Sequence, residues 1–187
     1  MDRELVRRTQ QGDLVAFGEL AREVSPRLFR VAYRIVRDSD VAQDAMQQVL
    51  ISIWRDLPTL RDVDAFEAWM WRLVANAATT EIRRDHRHAG SIRVLRLEPA
   101  AADAAWATAD SSHSVAERDA IEHAFTRLTP EQRVVVVLRF YVGLPLDEIA
   151  RAIDVPYGTA ASRIHYAMRA LRAALELDEG RAEVRTS

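Results

Sequence analysis

Between Pro156 and Leu175 the chain sets out Thr159, Ser162, Arg163, His165, Tyr166, Arg169 and Arg172 with no acidic residue among them. Hydroxyl, imidazole and guanidinium groups in such company do one kind of chemistry well: they hydrogen-bond to phosphate oxygens and to the edges of bases. At helical spacing they fall opposite Ala160, Ile164, Ala167, Met168, Leu171 and Leu175, which recur at i, i+4, i+7, i+8, i+11 and i+15 as an apolar stripe one face wide. A shorter helix precedes it, from Asp147 to Ile153, with Ile149, Ala150 and Ile153 apolar; Asp154-Val155-Pro156 then interrupts the pattern. Pro156 suits the first turn of the second helix, because its φ is already helical and its missing N–H would have no intrahelical partner there. This is a helix-turn-helix whose second member presents a basic, hydrogen-bonding face, the arrangement that lays a recognition helix into a DNA major groove. Solubility alone asks for neither an acid-free face nor the gathering of Thr159, Ser162 and Arg163 at the helix start.

A second positive cluster lies upstream. From Glu81 to Arg96 stand Arg83, Arg84, Arg87, Arg93 and Arg96 against Glu81 and Asp85, whereas Glu98 to Glu122 holds Glu98, Asp103, Asp110, Glu117, Asp119 and Glu122 against Arg118 alone. The formal net charge is -2, so it is the distribution of charge that points to nucleic acid. The chain has 187 residues, 49% of them apolar, enough for one good core or two small ones. It has no cysteine, which excludes disulfides and thiolate zinc sites and agrees with a reducing cytoplasm. His86 and His88 lack a second ligand pair, so no metal or other cofactor is expected. No apolar run approaches the ~20 residues of a membrane span, and the start, MDRELVRRTQQGD, has no apolar signal core. A cytoplasmic protein with no membrane insertion is expected. No nucleophile–base pair or phosphate loop is written, so neither catalysis nor a small-molecule substrate is expected.

The elements that must position these groups read as helices throughout. Glu4–Gln11 forms a short one stopped by Gly12; Asp13 caps the next, which Ser25-Pro26 bends or restarts and Leu28, Val31, Ala32 and Ile35 carry on to Val36. A third opens at Ser39 or Asp40 and ends before Pro58; a fourth, capped by Asp64, runs from Ala65 to about His86. Four helices with short connections make one bundle. Periodicity fails from about His88 to His113, an Ala-, Asp- and Ser-rich flexible linker. Ser114 restarts helix with a capping-box pattern as far as Leu128, Thr129-Pro130-Glu131-Gln132 repeats the signal, and Gly143 ends the helix that follows. The reading is all-α, two small helical domains, with 1–90 the first, 91–113 a linker, 114–177 the second and 178–187 a tail.

The run Glu148-Ile149-Ala150, Val155-Pro156-Tyr157-Gly158-Thr159, Ser162-Arg163-Ile164 and Leu171-Arg172 resembles region 4.2 of bacterial RNA polymerase sigma factors, especially the extracytoplasmic-function group (group IV). The first half resembles region 2 of the same family: Gly12-Asp13-Leu14-Val15-Ala16-Phe17 matches its opening, Asp38 through Trp54 its region 2.2, and Phe66 to Asn76 its region 2.3. The resemblance implies a region 2 bundle that binds core RNA polymerase and melts the −10 element, and a region 4 domain that reads the −35 element. It implies polymerase contacts at Asp44, Gln47, Gln48, Ile51 and Trp54, with Gln43 and Gln48 standing where the family has Glu. It also assigns Asn76 to a pocket for an unstacked base, Trp71 and Arg72 to the strand-facing surface, and Arg83, Arg84 and Arg87 to backbone phosphates. Where the family has Asp beyond that Asn, this chain has Thr80 and then Glu81.

For the −35 element, the resemblance makes Ala161, Ser162, His165 and Tyr166 base-proximal and places Thr159, Arg163 and Arg169 nearer the backbone. An alanine at 161, where the family has a basic residue, cannot make a bidentate guanine contact. Asp154 replaces the turn glycine and tolerates the left-handed region better than most residues. The function implied is an alternative sigma factor that brings polymerase to particular promoters, with promoter DNA and an anti-sigma factor as further partners. The alternative is a stand-alone helix-turn-helix regulator, which would bind palindromic duplex unaided.

Overall fold

The computed structural model describes the backbone of residues 1–88 and 115–186 and, within them, the side chains other than those of 83, 85–88, 115–119 and 177–186. The expected linker, 91–113, lies outside the described residues, and so does the Ser114 cap. Among the described residues all regular structure is helical, and aspartates open the N-terminal helices. Asp2 accepts the N–H of Glu4, Asp13 those of Val15 and Ala16, Asp38 those of Asp40 and Val41, and Asp62 that of Asp64. The first three start α1 (Arg3–Gln10), α2 (Leu14–Val36) and α3 (Ser39–Asp56). After 3-10 turns at Leu57–Thr59 and Val63–Ala65 comes α4 (Phe66–His88), so the cap falls on Asp62, two residues before the expected Asp64.

Pro26 neither breaks nor restarts α2, which runs unbroken through it. A mid-helix proline costs about 3 kcal/mol. Beyond it Leu28, Val31 and Ile35 are all but wholly buried, and at ~1.5–3 kcal/mol each their burial outweighs that cost. The proline itself faces solvent. Around α2 pack α1, α3 and α4, with Ala42, Ala45, Val49 and Ile53 of α3 and Phe66, Met70, Val74 and Ala78 of α4 closing the core. Gln10 ties the short α1 down: its side-chain amide donates to the carbonyls of Leu57 (3.2 Å) and Leu60 (2.8 Å).

The C-terminal half comprises α5 (Val115–Thr126), α6 (Pro130–Val136), α7 (Leu146–Ala152) and α8 (Tyr157–Thr186). Thr129 and Gln132 form the expected capping box at the start of α6. That helix continues as a π-helical turn, Val137–Val142, and ends at Gly143, whose φ of 87° suits a residue without a Cβ. The last helix does not stop near Leu177 but runs on to Thr186; Gly180 costs only about 1 kcal/mol there, and its neighbours are good helix formers. Helices α5, α6 and α7 pack on α8, while α6 and α7 also pack on α4, and α6 with its π-helical turn on α2. Buried residues of both halves join in one apolar cluster.

Asp13 offers a test of the local bookkeeping. The N–H of Ala16 and then the Arg8 guanidinium, 2.7 Å away, hold its carboxyl below the usual range. A depressed carboxylate contributes stability above its unfolded pKa and loses it as pH falls through the folded one. Asp13→Asn, which keeps a capping oxygen but removes the charge, is expected to lower the urea midpoint at pH 7, with the gap closing below roughly pH 4. An equal gap at both pH values would refute this account.

Candidate nucleic-acid and partner interfaces

Helix α8 is seated by Ala160, Ala167 and Ala174, buried at seven-residue intervals, and this fixes which side chains look outward. Ser162, His165, Tyr166 and Arg169 all face solvent along one ridge. The His165 and Tyr166 rings meet edge to face at 5.6 Å, so the two sit as one aromatic unit. At the helix start the N–H groups of Thr159 and Ala160 donate to the Pro156 carbonyl, and the Ser162 hydroxyl donates to Thr159 O at 3.0 Å, leaving its oxygen free to accept. The turn before it holds Asp154 at φ 53°, the left-handed residue the helix-turn-helix needs, and the N–H of Val155 closes the end of α7 on Ala150 O at 3.0 Å. Thr159 and Ala161 are half-buried flanks of the ridge. Arg163 is set apart from it: the side chain lines a small open cleft with Thr79 and Ile82 of α4 and Pro130, Glu131, Val134 and Ile153.

Helix α4 divides its faces sharply. Met70, Val74, Ala75, Ala78 and Ile82 are buried, while Arg72, Asn76, Thr80 and Arg84 face outward at four-residue steps. Asn76 therefore has an amide open to solvent, with Arg72 one turn before it. Thr80 completes this ridge; the four-residue spacing was the signal in the sequence for including it. Arg84 stands 3.7 Å from Glu81. Trp71 does not belong to the surface. It is 4% exposed, inside the core, and the Arg27 guanidinium, itself paired with Glu67, lies 5.3 Å from its ring centroid. One residue from Arg72 is a 100° turn of the helix, enough to carry Trp71 from the outward ridge to the packed face. The side chains of Arg83 and Arg87 lie outside the described residues.

On α3 the five positions Asp44, Gln47, Gln48, Ile51 and Trp54 are all exposed, opposite the buried Ala45, Val49 and Ile53. Ile51 is 56% exposed and Trp54 37%, with one side of the indole against Phe17 at 5.0 Å between centroids. Trp54 is thus half core and half surface. A polar ridge that ends in uncovered Ile and Trp is the composition of an interface, since large apolar side chains gathered on a surface are seldom left to water.

Two family models match the chain: Sigma-70 region 2 over residues 20–88 and Sigma-70 region 4 over residues 124–173. The sequence is similar to the RNA polymerase sigma-H factor of Pseudomonas aeruginosa, 32% identical across 94% of each protein. It is also similar to the ECF RNA polymerase sigma factor SigM of Mycobacterium tuberculosis, 32% identical over 87% of this chain and 78% of that one. Among solved structures, the sigma factor RpoE co-crystallised with the anti-sigma factor NepR from Bartonella quintana superposes with a TM-score of 0.65 at 22% identity, over 87% of this chain and 98% of the other, a likeness of fold.

Proposed function

Because the chain belongs to the extracytoplasmic-function sigma factors of bacterial RNA polymerase, we propose that its three outward ridges divide the work of promoter selection. As an alternative sigma factor it directs RNA polymerase in transcription initiation. In our reading the α3 ridge docks core polymerase through Ile51 and Trp54, with Asp44, Gln47 and Gln48 as polar contacts. The α4 ridge, centred on Asn76, takes hold of an unstacked −10 base, while Arg72 and Arg84 hold the strand's phosphates. The α8 ridge enters the −35 major groove with Ser162, His165 and Tyr166 toward base edges and Arg169 toward phosphate. Support comes from one observation above the others: on each of the three helices one face is buried to the core and the face assigned to a partner is open.

An anti-sigma factor is the second partner class, as in the co-crystallised relative. The uncovered Ile51 and Trp54 offer it apolar surface to cap. The site of action we assign is the cytoplasm, where polymerase works. Among the described residues no helix is long and apolar enough to cross a membrane.

Run-off transcription with bacterial core polymerase on a library of promoter-like duplexes tests the reading. Start sites should appear only when the protein is present. Arg169→Ala should weaken promoter binding across all sequences alike and lower the slope of log K against log salt by about 0.9, one released counterion. Tight binding to isolated palindromic duplex with no association with core polymerase would instead identify a stand-alone regulator.

A further inference from the structure

Gly158 is the second residue of α8, and nothing inside the molecule asks for a glycine there. Gly12 and Gly143 hold φ of 84° and 87°, which a residue with a Cβ rarely adopts; Gly158 is under no such demand. A Cβ built on it would meet no atom within 4 Å, so no neighbouring element presses against it either. Within a helix glycine is less favourable than alanine, because it gives up more backbone freedom on folding. The chain therefore carries a costly residue at a position where its own fold would accept a methyl group.

Position 158 is also the head of the reading ridge. Gly158, Ser162, His165 and Arg169 recur at i, i+4, i+7 and i+11, inside about 60° of the helix circumference, and all four are exposed. On the two flanks of that strip stand the rings of Tyr157 and Tyr166, 59% and 57% exposed, which leaves Gly158 as the low point of a surface otherwise built of large side chains. A glycine lets another molecule come right up to the backbone. What has to come close here is DNA, the partner for which this face carries the hydrogen-bonding groups.

We propose that Gly158 is a positioning residue: by leaving the head of the ridge without a side chain, it sets how deeply α8 seats in the −35 major groove and so which base edges Ser162 and His165 reach. This rests on the assignment of α8 as the −35-reading helix. A methyl group at 158 would stand out by roughly 1.5 Å, one carbon–carbon bond. With the far end of the ridge held by Arg169, about 16 Å along the axis, the helix would lift by about 1 Å at Ser162 and about half that at His165. A hydrogen bond of about 2.9 Å stretched by about 1 Å is lost. The loss falls mainly on the base pairs that Ser162 reads and least on those nearest Arg169.

Stability and promoter affinity should then part company. Gly158→Ala should leave the thermal midpoint of the full chain unchanged or raise it by up to about 4 °C. In complex with core polymerase, on promoter duplexes selected by run-off transcription, the same variant should bind about 10-fold more weakly. Gly158→Leu, a good helix former with a longer side chain, should lose more. On the same duplexes with the −35 element scrambled, all three proteins should bind alike. Changing the −35 base pairs one at a time should show the preference of Gly158→Ala flattened at one end of the element, at the positions that Ser162→Ala also flattens. Affinity within twofold of the unaltered protein would overturn the proposal, and so would a midpoint lowered by several degrees, which would give the glycine a folding role instead. His165→Ala tells this failure from that of α8 itself: a loss with His165→Ala and none with Gly158→Ala removes the clearance alone, whereas a loss with neither takes the −35 element away from α8 as well.

Discussion

Ile51→Glu is expected to leave the helical fold and thermal midpoint unchanged and to weaken association with core polymerase by roughly 30-fold or more. The side chain is 56% exposed, so its loss costs the free protein little. In a complex it would stand near the middle of the α3 ridge, between Gln48 and Trp54, where an apolar anchor sealed from water contributes on the order of 2 kcal/mol or more. Glutamate would also have to be desolvated there, which adds to the loss. Fluorescence anisotropy with labelled protein and core polymerase measures it directly, with Glu23→Ala, exposed on α2 and away from the ridge, as the control. Affinity within about threefold of the control would remove α3 from the docking surface.

The second large effect concerns Asn76. Asn76→Ala should leave closed promoter complexes nearly intact yet slow their conversion to open complexes by roughly 10- to 100-fold, because a pocket donor and acceptor worth about 1–3 kcal/mol would be missing where an extruded base needs them. Trp71 supplies the contrast. With its ring buried against Arg27, Trp71→Ala should cost about 3–5 kcal/mol of folding stability and impair every activity together. Permanganate footprinting of unstacked thymines separates the cases: a stable Asn76→Ala protein that melts promoters at the normal rate would take the base pocket away from this helix.

These two residues show how far a sequence pattern reaches: both were expected to face outward, and Asn76 does while Trp71 does not. Asn76 and Trp71 are five residues apart on one helix, and resemblance to region 2.3 placed both at the strand. A periodic apolar pattern gives the width of a buried stripe but not its edge, and Trp71 lies at that edge. Its fate was decided by packing into the core and by Arg27, which arrives from α2 and is invisible to a pattern along one segment. The same holds for Arg163, which is basic and near the start of the recognition helix but turned by the seating of Ala160 and Ala167 into the cleft facing α4.

Local chemistry was enough for the all-helical class, the caps at Asp13 and Thr129, the left-handed turn at Asp154, the stop at Gly143 and the acid-free face of α8. Each depends on groups within a few residues of one another, so spacing alone carries the information. The α3 ridge came from the family resemblance, and the exposure of its five side chains from the structure. Only the tertiary structure decided that α2 runs straight through Pro26, since that turns on the burial of Leu28, Val31 and Ile35 against other helices. It alone also decided that the two halves close on one another through Arg34, Arg37, Tyr141 and Glu122. Those residues are separated by more than eighty positions, and a cation placed over a ring or beside a distant acid leaves no period in the sequence.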